Sequence, residues 1–138
     1  MDSDFEIIEH TADIGIRACG DDPAQAYSNA ARGMFSLITN LDGIRETRTR
    51  DVEVSAADSK TLLVEWLNEL IYLFDVDQMV FGRFEITTLT DTGITAKCYG
   101  EKIDHTRHEI KRGIKSATYH MLKIEKNEGY RVEVLFDI

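Results

Sequence analysis

Cysteine, proline and long apolar runs are scarce in this chain, and each scarcity excludes something. Two cysteines in 138 residues, Cys19 and Cys98, are too few for a disulfide framework. A chain of this length can bury roughly 70% of its unfolded surface without such staples. Neither cysteine lies in a C-x-x-C pair or beside paired histidines, which argues against a thiolate zinc site. The single proline, and the lack of any linker, repeat or low-complexity tract, point to one continuous domain over residues 1–138. No stretch approaches the ~18 apolar residues of a membrane span. The start, MDSDFEII, is acidic where a secretory signal would be basic and then apolar, so a cytoplasmic protein without membrane contact is expected. Glycine-rich phosphate loops are missing too, since GEKIDH and RGIKS have too few glycines, and no Ser/His/Asp order or nucleophile elbow occurs. Basic residues are outnumbered 16 to 25, leaving a formal charge of −9 that repels phosphate backbones. Direct tight RNA binding is therefore not expected. Such a surface suits a cation binder or the partner of a basic protein.

What is present is a clear alternation of periodicities. FEIIEH (5–10) and DIGIRAC (13–19) read as two short strands, with Ile14, Ile16 and Ala18 on one face. DDPAQAYSNAARGMFSLITN changes to helical spacing, Tyr27, Ala31, Met34, Phe35 and Ile38 forming one stripe. Asp22 is its predicted cap, Pro23 its first position, Gln25 the capping-box partner and Asn40 the stop. Residues 47–57 alternate as a half-buried strand. Asp58 or Ser59 then caps a second helix whose stripe of Leu63, Trp66, Leu67, Leu70, Ile71 and Phe74 is the strongest core element, with Trp66 read as core. MVFGRFEITTLT and ITAKCYGE predict strands about a turn at 91–93, with Cys98 buried and Cys19 a partly exposed strand-end thiol. KSATYHMLKI and YRVEVLFDI predict a hairpin through Asn127, Glu128 and Gly129. Val132, Val134, Phe136 and Ile138 share its core face, Glu133 and Asp137 the other. The expected fold class is α+β, two helices packed on a largely antiparallel or mixed sheet.

Three places invite chemistry. HTAD (10–13) joins the first two strands; it is either a turn held by Thr11 or Asp13, or a place where Asp13 serves as a hard-cation ligand. Asp137, near the other end of the sequence, is a second carboxylate, and spacing cannot say whether the two meet. His105 and His108 have i, i+3 spacing but read better as a solvated loop within the polar stretch 105–113. Lys115 either reaches to water or faces the acidic site.

HTADIGI, LLVEWLNELIYLFD, IKSATYHMLKI and VLFDI, in this order and at this spacing, resemble the archease family. The resemblance implies a small single-domain accessory protein, not itself an enzyme, that activates the RtcB-type RNA ligase of tRNA splicing. It would promote ligase guanylylation and multiple turnover. It further implies a metal site at Asp13, Asp137 and the main-chain carboxylate of Ile138. The cation is expected to be calcium, with manganese or magnesium as alternatives. Lys115 occupies the position of a lysine involved in activation, and Ser116 stands where the family commonly has alanine. The competing readings are a stand-alone metal-dependent phosphohydrolase and a general chaperone or RNA-binding module.

Overall fold

Leu62, Leu63, Val64, Trp66, Leu67, Leu70, Ile71, Leu73 and Phe74 leave the second helix little polar surface, and a helix apolar on most sides must be enclosed. The computed structural model describes residues 4–9, 13–126 and 128–138, and encloses that helix between strands of two sheets. In chain order the elements are β1 (Phe5–Glu9), β2 (Ile14–Gly20), α1 (Pro23–Ile38), a 3-10 turn (Leu41–Gly43), β3 (Arg48–Ser55) and α2 (Ser59–Asp77). There follow β4 (Met79–Leu89), β5 (Gly93–Lys102), β6 (Ser116–Ala117), β7 (Lys123–Lys126) and β8 (Tyr130–Asp137). One sheet runs β1-β2-β8-β6 with β7 also on β8; the other runs β3-β5-β4, and every pairing is antiparallel. The α+β class with two helices is as expected, with the strands divided into two sheets.

Both helices touch both sheets: α1 packs on β2 and β4, α2 on β3 and β6. Trp66 is fully buried, and its Nε1–H donates to Tyr27 O at 3.1 Å, tying α2 to α1. Its ring meets Phe84 edge-on, and Phe84 in turn packs on Phe35 and Phe81. Cys98 is buried among them, its thiol pushed up to about 12 by burial and, secondarily, by Asp51. Cys19 is half-buried at the end of β2.

Helix starts follow their caps. Asp22 Oδ1 accepts from Gln25 N at 2.8 Å and Asp58 Oδ1 from Thr61 N at 2.8 Å. The Gln25 side chain reaches one residue further back than a capping box requires and accepts from Asp21 N. The end of α1 differs from expectation. Thr39, extended at φ −154°, is the cap, and Asn40 at φ −76° is not left-handed. The segment after β5 replaces the missing C-terminal signal: Lys111 Nζ donates to Ser36 O, Arg112 to Leu37 O and Lys111 N to Ile38 O. Residues 105–113 form neither helix nor strand.

The predicted strand over 115–124 is two pieces. Met121 takes φ 55°, which interrupts extended geometry, so β6 and β7 pair separately with β8. The hairpin from β7 to β8 turns at Gly129, φ 116°, a conformation glycine adopts without a Cβ penalty. Asn127 of that turn, like His10, Thr11 and Ala12 of the HTAD stretch, lies outside the described residues.

Candidate functional site

The register of β2 against β8 decides what meets what. Ile14 faces Phe136, Ile16 faces Val134 and Ala18 faces Val132, all six buried in the core. Alternation puts Gly15, Arg17, Glu133, Leu135 and Asp137 on the other face. One residue beyond the last ladder pair, Ile14 with Phe136, come Asp13 before β2 and Asp137 at the end of β8, 124 residues apart in sequence.

Gly15 permits the close approach of β2 to β8. A Cβ there would lie 2.4 Å from Val134 O and 2.6 Å from Leu135 Cδ2, so Leu135 lies over a bare backbone and is buried on what is otherwise the polar face. On the far side of β8, β6 brings Ser116 opposite Asp137, and the Ser116 hydroxyl approaches Asp137 Oδ2 at 3.4 Å. Lys115 N donates to Asp137 O at 2.8 Å. Ser116, Asp137 and the main chain of Lys115 thus gather at one end of the five-stranded sheet, the end from which β2 starts after Asp13. Asp13 is half-buried and Asp137 exposed.

One expectation changes here, and one alternative is favoured. Ile138 does not continue the core pattern: it is 53% exposed and lies past the last strand residue, Asp137, with no described strand residue paired to it. Phe136, fully buried, is the anchor instead. The Lys115 side chain is exposed and forms no ion pair with a described carboxylate; its tie to Asp137 is through the main chain.

The donor set suits a hard cation: carboxylate, hydroxyl and main-chain oxygens, with no Lys, Arg or His among the described residues paired to either aspartate. It holds only two acidic side chains. Among the described residues no group of three or more His, Cys, Asp or Glu is placed to hold a metal.

A second polar cluster was not foreseen. Glu101, on β5, is 6% exposed and His108 4%, so His108 is not on a solvated loop, whereas His105 is. Glu101 accepts from Arg45 N at 2.7 Å and from Arg107, and its Oε2 lies 2.9 Å from His108 Nε2. His108 Nδ1 accepts from Asp104 N at 2.9 Å, so Nε2 carries the proton toward Glu101 and neither ring nitrogen is left for a metal. Burial works to raise the Glu101 pKa, but the Arg45 N–H, Arg107 and His108 outweigh it and hold the carboxyl below its usual value. No spacing signal marks this cluster; Glu101 sits out of phase with Ala96, Cys98 and Gly100, the buried positions of its strand. An open cleft of about 620 Å³ adjoins it, lined in part by Asn40, Asp42, Arg107 and Lys111, and by none of Asp13, Lys115, Asp137 or Ile138.

These features define a class: a small α+β protein of two antiparallel sheets sharing two helices. The comparisons with known proteins agree. The sequence matches the archease protein family (MTH1598/TM1083) over residues 5–138, and the chain belongs to that family. It is 42% identical to protein archease of Pyrococcus abyssi, covering 88% of each, and 36% identical to that of Methanosarcina mazei, covering 97% of this chain and 95% of the relative. The solution structure of Methanobacterium thermoautotrophicum protein 1598 superposes with a TM-score of 0.80 at 30% identity, over 98% of this chain and 99% of that one. A Thermotoga maritima crystal structure described as "an archease, possible chaperone" shares the fold, with a TM-score of 0.65 at 22% identity. No described helix is long and apolar enough to cross a membrane.

Proposed function

We propose that this protein is an accessory factor, not itself a ligase, that activates an RtcB-type RNA ligase in tRNA splicing or RNA repair by promoting guanylylation and repeated turnover. In this reading Asp13, Asp137 and the main-chain carboxylate of Ile138 hold a divalent cation, calcium first and manganese or magnesium as alternatives. When bound, the cation would supply positive charge toward the ligase's phosphate-bearing active site. The chain's own residues orient the donors. Phe136 anchors the last strand, Gly15 lets β2 and β8 close together, and Lys115 N–H fixes the Asp137 carbonyl. The Lys115 side chain, exposed beside the site, would reach the ligase.

The observation that supports this most is the ladder register of β2 on β8, which ends with Ile14 opposite Phe136, one residue short of Asp13 and Asp137. The net charge of −9 adds to it, because a channel that tracks RNA is basic and complementary charge steers encounter. The reading is tested by following guanylylation of the cognate ligase with and without this protein. Faster and more complete guanylylation is expected, and Lys115→Ala should reduce it without weakening calcium binding. Equal rate and extent with and without the protein would overturn the proposal. Turnover of a phosphorylated substrate by the purified protein alone would favour a hydrolase instead.

A further inference from the structure

Strand β6 is only two residues long, yet it carries Ser116 and the start of the contact between Lys115 and Asp137. Two ladder pairs, Ser116 with Asp137 and Ala117 with Phe136, are too few to fix a strand by themselves. Its hydrogen bonds to β8 come from Lys115 N to Asp137 O and from Thr118 N and Oγ1 to Leu135 O. The N–H of Ala117 has a different partner: it donates to Asn68 Oδ1 on α2 at 2.8 Å. Asn68 sits mid-helix, where asparagine is a poorer helix former than the leucines around it and tends to compete for backbone bonds. Its neighbours Leu67, Leu70 and Ile71 are buried, so the helix offers a rigid base for this side chain. An acceptor is what the site demands, since an edge N–H beside a packed helix would otherwise go unsatisfied.

We infer that Asn68 is a positioning residue: from α2 it sets the place of β6 along β8, so that Ser116 meets Asp137 and Lys115 stays joined to the Asp137 main chain. This rests on the reading of Asp13, Asp137 and Ile138 as a cation site. Asn68 touches none of those groups and acts on them only through the strand.

The test compares Asn68→Leu, which keeps the size, improves helix propensity and removes the acceptor, with Asn68→Asp, which keeps an acceptor oxygen. Amide exchange at Ala117, amide shifts at residues 115, 116 and 137, and calcium affinity by calorimetry are the readouts. Asn68→Leu is expected to speed exchange at Ala117, move the signals of 115, 116 and 137, and weaken calcium binding about tenfold, the scale of losing an outer support of a metal site. Asn68→Asp should restore all three. If the signals of 115, 116 and 137 stay at their wild-type positions in Asn68→Leu, the inference is wrong. Should Asn68→Leu fail to fold, Asn68→Ala is judged on the same signals. Should the wild-type protein take up no calcium, the cation reading fails, while the shifts at 115, 116 and 137 still decide whether Asn68 places β6.

Discussion

Two groups of charged side chains in this protein are put to opposite uses. Around Glu101 every charge is consumed internally: Arg45 N–H, Arg107 and His108 converge on one buried carboxylate. Around Asp137, at an exposed strand end one residue past the ladder that also leads to Asp13, a serine hydroxyl lies at 3.4 Å and no described cation is paired to either aspartate. Burying a charge is tolerated only when its partners are all present. Keeping like charges together at the surface is unfavourable unless something arrives between them. The first cluster is therefore expected to matter for folding and hardly for activation, and the second the reverse.

Substitution at Glu101 should have the largest effect. Glu101→Ala strands a buried histidine, an arginine and a main-chain N–H, and should cost about 3–5 kcal/mol in urea unfolding. Next comes Gly15→Ala, which drives a methyl group into Val134 O and Leu135. A loss of about 1–3 kcal/mol is expected from overpacking, together with weaker calcium binding, because the clash falls beside the two aspartates. Removing the α2 cap by Asp58→Ala should cost about 1 kcal/mol in thermal unfolding and leave calcium binding alone. Smallest in stability is Asp137→Asn, expected within about 0.5 kcal/mol of wild type without calcium while abolishing most calcium-induced stabilisation. A destabilised but still calcium-responsive Asp137→Asn would erase the distinction between the two clusters.

Acidity separates them as well. In the folded state Glu101 titrates below its ordinary value of 4.5, so the unfolded chain binds that proton more readily. Its contribution is complete above pH 4.5 and is lost as pH falls through the lower folded value. Glu101→Gln should therefore flatten the acid limb of stability against pH. An unchanged limb would show that other carboxylates control it.

The helices and their caps were legible because periodicity and capping are local. Asp22, Pro23 and Asp58 act where their spacing places them. The sheet face of Ile14, Ile16 and Ala18 was legible for the same reason. What could not be read depends on contacts between distant segments. The end of α1 is capped by Lys111 and Arg112, more than seventy residues later, so Asn40 was a misleading stop. Met121, in left-handed geometry, splits one expected strand into two. His108 is buried because Glu101 is there to receive it, and Ile138 is exposed past the end of β8, although its phase matches the core. Asp13 and Asp137 were singled out separately; that β2 and β8 pair up to the residue next to each is a matter of long-range register, which no local spacing encodes.

In the proposed function Asp13 and Asp137, with the main-chain carboxylate at Ile138, form one cation site. Calorimetric titration with calcium tests it most directly, using the wild-type protein, Asp13→Asn, and a chain lengthened by two residues after Ile138, each checked for an unchanged fold by circular dichroism. The account predicts one site in the wild type and at least tenfold weaker binding in both altered proteins, as expected when a ligand is lost. Equal calcium affinity in all three, with the fold intact, would contradict it.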